Sequence, residues 1–273
     1  MQPKPERYSP RSINSSLSVV GACKAPGCAE TKLCNAHIVP AGFARALSSP
    51  GGHNKAIRST GAKPAKQPHG EFDPGILCKA CDATLGRFDE YAITFCASLP
   101  QTPSARTGKV FERASFDGAQ FARAVLAILW RASISDRDQF QDIDLGPYGD
   151  RAAQILFDGA CLSTLPEFEL VLHRYASTDH DARKFVFMPL RIRSGMLNAF
   201  TIGMGGFLVW AKVDRRPTDP LLAPFVLNAA TKLRAPIIRF EETAEYAYFQ
   251  EAAGRDRWRG RSSRGGADKR GQQ

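Results

Sequence analysis

The spacing of apolar residues changes along the chain, and each change predicts an element. After Asp82, apolar positions recur three or four apart at Leu85, Phe88, Tyr91, Ala92 and Phe95, which predicts a helix from about Lys79 to Ala97. A second stripe, Phe121, Val125, Ile128, Leu129 and Ala132, predicts a helix running to about Ser133. Its start is marked by Asp117-Gly-Ala-Gln120, a capping box, with Phe116 and Phe121 at staple spacing around the cap. Leu145-Gly-Pro-Tyr148 opens another helix, with Ala152, Ile155, Leu156 and Phe157 following and Gly159 as its stop. From Glu167 the pattern becomes strand-like. Phe168, Leu170 and Leu172, then Phe185 to Pro189, then Ile202 to Val213 read as strands, with a bulge or tight turn in Gly203 to Gly206. Ile237 to Phe240 is a last strand and Glu241 to Ala253 a closing helix. The second half thus reads as α+β, two helices beside an antiparallel sheet.

Before Lys79 the periodicity is weak, and punctuation carries the reading. Residues 1–20 are rich in Pro and Ser and are expected to be disordered. Ile38-Val39 is a short strand candidate ended by Pro40, Gly42 to Leu47 a single helical turn, and Ser48 to Gly70 a long loop of Gly, Pro and Lys. Leu99 to Gly108, a Pro/Thr/Ser/Gly stretch, is a plausible boundary. The expected organisation is a module at 21–98, an α+β domain at 109–251 and a tail at 252–273.

Four of the seven cysteines make the first module chemically distinct. Cys23 and Cys28 stand at C-x4-C spacing and Cys78 and Cys81 at C-x2-C. Met1 to Val20 lacks the apolar run of a signal peptide, and the longest apolar run, Ala199 to Ala211, is too short to cross a bilayer. A cytoplasmic protein with no membrane partner is the expectation, and in a reducing compartment such pairs bind metal more often than they form disulfides. Four thiolates from two knuckles suit tetrahedral, structural Zn²⁺. Pro26-Gly27 supplies the bend of the first knuckle. Cys96 and Cys161 read as core residues, while Cys34 remains a possible substitute within the set.

Charge adds a polyanionic partner to this picture. The formal net charge is +10. The 252–273 tail carries seven basic residues against Asp256 and Asp268, and its Gly/Ser/Arg composition predicts disorder. A second basic stretch lies inside the cysteine frame: Arg45, Lys55, Arg58, Lys63 and Lys66 occur between Ala41 and Gly70 with no acidic residue. These five are the candidate nucleic-acid contacts, each able to release a counterion from a phosphate backbone. A merely solubilising surface is the alternative.

His37 is the candidate general base, a His in front of a strand-ending Pro within the knuckle pair. Asp73 and Asp82 flank the second knuckle with the hard oxygen donors that Mg²⁺ prefers, or are simply turn and cap residues. Cys23, Cys28, His37-Ile38-Val39-Pro40 and Cys78-Lys-Ala-Cys81-Asp82 together resemble the zinc-knuckle branch of the HNH endonuclease superfamily over residues 20–97. A following helix with Trp130-Arg131 is similar to what bacterial chains with this motif carry. The resemblance implies a treble-clef, ββα-metal fold with His37 activating water. It implies Asp82 as ligand of a catalytic Mg²⁺ or Mn²⁺, and it places Asp73 where a residue orienting the base is found. The chain departs from the pattern at Ala36, where the family has a metal ligand, and at Asp82, where it has Asn or His.

Three readings follow: a metal-dependent endonuclease acting on DNA, a zinc module that binds nucleic acid without cutting it, and a zinc-stapled protein-interaction domain. Exposed, clustered aromatics in the second half would favour the third.

Overall fold

The computed structural model describes residues 21–47, 55–56, 65–66, 70–102, 107–162 and 165–251. Among the described residues the protein is α+β, with five helices, a six-stranded mixed sheet, short two-stranded pairs and a cysteine cluster near the N-terminus. In chain order the first elements are β1 (Ala36–His37), α1 (Ala41–Leu47), β2 (Lys55–Ala56), β3 (Ala65–Lys66), β4 (Phe72–Asp73) and α2 (Lys79–Ala97). Next come β5 (Val110–Arg113), α3 (Gly118–Ser133), α4 (Gly149–Phe157) and β6 (Phe168–Ala176). The chain continues through β7 (Phe187–Ser194), β8 (Leu197–Met204), β9 (Phe207–Val213), β10 (Leu233–Arg239) and a last helix, α5, at residues 244–251.

α3 is the central beam. The N-cap half of its expected capping box forms, the Asp117 carboxylate accepting from Gln120 N–H at 2.9 Å, while the Asp117 N–H donates to the Tyr91 hydroxyl of α2 at 2.6 Å in place of the Gln120 side chain. Ala122, Ala124 and Ala127 are buried along with the apolar stripe, so this helix is enclosed on nearly all sides. Gly118 lets its first turn press on the chain at Leu227, whose carbonyl oxygen lies 1.9 Å from where a Cβ would stand.

The six strands are ordered β5-β10-β6-β9-β8-β7. Their pairs are antiparallel except β6 with β10, which run parallel, Ile237 opposite Arg174. The sheet is thus antiparallel except for one pair, because β10 returns from a long connection to insert between β6 and β5. Ile202 to Val213 resolves into two strands, β8 and β9, joined at Gly205-Gly206, both at positive φ. This is the tight turn expected from the glycine run.

One face of the sheet packs on α3. Phe168, Leu170, Ile202, Phe207 and Val209 share a hydrophobic core with Phe121, Leu129, Phe88, Leu85, Ile76 and Ile38. The core therefore continues across the stretch 99–108 rather than dividing there. Arg174 of β6 is 1% exposed and reinforces that crossing, bonding the Pro100 carbonyl, the Thr102 hydroxyl at 3.0 Å and the Gly205 and Gly206 carbonyls at 3.1 Å. On the opposite face His180, Phe185, Phe187, Phe240, Tyr246 and Phe249 cluster beneath α5. They are buried or half-buried, and among the described residues the large exposed apolar ones, Val110, Leu190, Met196 and Leu221, include no aromatic.

Further expectations change: the strand expected at Ile38-Val39 lies instead at Ala36–His37, and the chain bends at Ile38 and Val39. Cys161 is exposed, since it follows the Gly159 stop after α4 instead of entering the core; Cys96 is buried as expected. β5 was not signalled, because Val110–Arg113 is an edge strand whose residues are mostly exposed and show no alternation.

Candidate metal centre and the adjoining cleft

The first knuckle turns through Gly27 at φ +69°, with Cys28 N–H donating to the Ala25 carbonyl at 3.2 Å and Cys23 N–H to the Glu30 carbonyl at 2.8 Å. The second knuckle is the start of α2, where Cys78 is the N-cap residue and Cys81 lies in the first turn. Two backbone bonds stitch the knuckles together, Lys24 N–H to Ile76 carbonyl at 2.8 Å and Cys34 N–H to Leu77 carbonyl at 2.9 Å. Fully buried Ile76 and Leu77 anchor that stitch in the core.

The sulfurs of Cys23, Cys28, Cys78 and Cys81 all lie within 4.8 Å of one another. Cys28 and Cys78 are 3.9 Å apart at sulfur. Tetrahedral zinc with bonds of about 2.3 Å places its sulfurs about 3.8 Å apart, so the donor set fits that ion. Cys34 lies outside the set.

Burial pushes the Cys23 and Cys81 thiols above their ordinary value, whereas Cys78 is lowered, first by a hydrogen bond from the Cys81 backbone N–H. Cys78 N–H in turn donates to Cys23 sulfur at 3.3 Å, the backbone-to-sulfur bonding that supports thiolates.

Beside this cluster β1 and β4 pair antiparallel, Ala36 opposite Asp73 and His37 opposite Phe72. Strand alternation sends Ala36 and His37 to opposite sides: Ala36 is 0% exposed, in the core, and His37 is half-buried with its ring edge-on to Phe72 at 6.0 Å. The position before His37 therefore faces away from the imidazole. Asp82, in the first turn of α2, is partly exposed and close enough to His37 for the imidazolium to lower its carboxyl pKa. Burial dominates and raises that pKa, opposed by Arg131 and assisted by Asp89. Of the predicted site residues, the structure brings the four cysteines together, and it sets His37 near enough to Asp82 to act on that carboxyl.

Asp73 lies elsewhere. It is 5% exposed and fully used, accepting from the Ser135 hydroxyl at 2.5 Å and from Gly75 N–H at 2.7 Å. Its strand position faces the side of Ala36, away from His37. It belongs to a bracket in which the segment after α3 grips β4. Ser135 holds Asp73, Arg137 reaches the Phe72 carbonyl at 2.5 Å, and Gln139 bonds Glu71 at 3.0 Å.

Arg45 is exposed on α1. Lys55 and Lys66 oppose each other in the β2–β3 pair, while Arg58 and Lys63 fall outside the described residues.

Asp89 escaped the sequence reading, and Arg131 entered it only beside Trp130, with no partner or role. Arg131, 1% exposed, forks onto Asp89 with bonds of 2.9 and 2.8 Å and lies 3.9 Å from the Asp82 carboxylate. Asp82 and Asp89 stand seven apart, two helical turns, and so share the face of α2 turned to α3; that spacing was the available signal.

The chain matches no family model, curated protein or solved structure with which it was compared. The functional reading therefore rests on the residues themselves. Among the described residues, no helix is long and apolar enough to cross a membrane.

Proposed function

We propose that this protein is a zinc-stabilised, HNH-like endonuclease that hydrolyses phosphodiester bonds of DNA. The observation that carries the reading is the half-buried His37 beside the Asp82 carboxylate, both held on a ββα unit around four converging sulfurs. His37 takes a proton from water, the resulting hydroxide attacks phosphorus, and the P–O3′ bond breaks with a proton passing to the leaving oxygen. Asp82 is the residue to hold Mg²⁺ or Mn²⁺. Such ions need only one or two carboxylates, with water and substrate phosphates completing the shell, which suits a site offering one accessible carboxylate. The ion, when bound, offsets the charge developing on the phosphate and leaving oxygen. Zinc in the cysteine cluster fixes the start of α2, and with it Asp82, one residue beyond Cys81. Exposed Arg45, with Lys55, Arg58, Lys63 and Lys66, supplies contacts to the phosphate backbone. The site of action is the cytoplasm.

A second reading has a specific support in the fully buried Ala36, which contributes no ligand to the cleft. In it the zinc module binds nucleic acid and does not cut. Incubation of supercoiled plasmid and single-stranded DNA with Mg²⁺ or Mn²⁺, beside His37→Ala, separates the two. Cutting by the wild type alone supports the nuclease; retained cutting by His37→Ala removes His37 from the mechanism. Retardation of DNA on a gel without cutting favours the binder.

A further inference from the structure

We propose that Arg131, contributed by α3 from outside the cysteine-bearing unit, is a positioning residue that fixes the orientation of the Asp82 carboxylate. The inference rests on the reading of Asp82 as the carboxylate that holds the catalytic ion.

Every nitrogen of the Arg131 guanidinium is committed. Nε donates to the Ala127 carbonyl at 3.2 Å within α3, and the two terminal nitrogens fork onto Asp89. The group is 1% exposed and therefore has no route to substrate. What remains is its 3.9 Å approach to Asp82 Oδ1, an ion pair without a hydrogen bond. Asp89 locks the cation in place, and the locked cation sets where the partly exposed Asp82 comes to rest.

Stability alone does not account for this arrangement. A buried arginine–carboxylate pair is commonly no more stabilising than apolar residues of similar volume, and the flanking α3 positions Ile128, Leu129, Trp130 and Ala132 are apolar and buried. A methionine on α3 facing a leucine on α2 would fill the same space. The charge pair adds orientation of a carboxylate one residue beyond the last cysteine of the cluster. Residues that orient a ligand in this way typically govern affinity for the ion by tenfold or more.

The test is Mn²⁺ binding to the zinc-loaded full chain, followed by loss of the free-ion electron paramagnetic resonance signal. The variants are Asp82→Ala, the double variant Asp89→Leu/Arg131→Met, and Arg131→Lys. Wild type is expected to bind one Mn²⁺ that Asp82→Ala does not bind. The double variant, with zinc content and melting temperature kept, is expected to bind about tenfold more weakly. Arg131→Lys keeps a cation but loses the fork, is expected to weaken binding similarly, and decides the matter if the double variant does not fold. Wild-type affinity in either folded variant overturns the proposal. So does a wild type without Asp82-dependent Mn²⁺ binding, since no ion would then depend on Asp82. DNA cleavage is scored separately: Mn²⁺ binding that follows Arg131 in a protein that cuts nothing counts against the nuclease and leaves the role of Arg131 standing.

Discussion

Removal of zinc should destabilise the whole chain and not only its first hundred residues. The perturbation is chelation, or Cys81→Ser, which deletes one of four donors that all lie within 4.8 Å. An ion that binds the folded form alone, at a free concentration of about a hundred times its dissociation constant, stabilises by about 2.7 kcal/mol. For a chain of this size each kcal/mol moves the melting temperature by about 2–4 °C, so the loss should read as a fall of about 5–10 °C. The structural reason for a global effect is the shared core: Ile38, Ile76, Leu85 and Phe88 of the zinc-bearing unit pack in one cluster with Phe121 and Leu129 of α3 and Phe168 and Phe207 of the sheet. The assay is differential scanning calorimetry with and without chelator, beside zinc content by mass spectrometry, expected at one ion per chain. A single transition that moves down on chelation fits. An unmoved transition, or one in which the sheet melts independently of the metal, would refute the argument from the continuous core.

Further outcomes follow from individual contacts. Asp89→Ala leaves the buried Arg131 uncompensated and should cost about 3–5 kcal/mol in urea unfolding, while Asp89→Leu/Arg131→Met should be close to neutral; equal losses would contradict the ion-pair account. Gly118→Ala gains about 1 kcal/mol of helix propensity but sets a Cβ 1.9 Å from one backbone oxygen and 2.9 Å from another. Overpacking against backbone should win with a net loss of about 2 kcal/mol, and a stabilised variant would refute it. His173, on β6, has its pKa lowered by burial from 6.5. The unfolded chain therefore takes up a proton near that pH before the folded one does, and stability should fall as pH drops from about 6.5 toward the lower folded value. The slope from this group is at most about 1.4 kcal/mol per pH unit, and His173→Leu should flatten it in unfolding curves at pH 5 to 8.

The elements most legible in the sequence were those whose local chemistry agrees with their burial. The Asp117 cap, the α3 stripe and the Lys79–Ala97 helix emerge with the expected bounds, since each helix carries a periodic apolar face and α3 also a side-chain cap. Spacing also identified the four-cysteine cluster, because knuckle geometry is local and needs only that two turns converge. What local pattern does not encode is which distant segments meet. The parallel β6–β10 pair depends on a chain return over more than fifty residues, and β5 is an edge strand with no apolar alternation to signal it.

The same distinction explains the candidate cleft. Spacing to a cysteine pair suggested Asp73 and Asp82 alike, yet the fold separates them. Asp82 inherits its place from α2, whose start is the second knuckle, so whatever fixes the metal also fixes that carboxylate. Asp73 inherits its place from β4, and the segment after α3 holds β4 from behind through Ser135, Arg137 and Gln139. The α+β half thus grips the cysteine-bearing unit at two points, Arg131 beneath α2 and the Ser135–Gln139 bracket behind β4. These two elements flank His37, whose own strand is two residues long and pairs only with β4 among the described strands. A strand that short cannot hold an imidazole in a fixed place by itself. The placement of His37 and Asp82 is therefore a property of the contact between the two halves, which gives the second half a physical role in the chemistry proposed for His37.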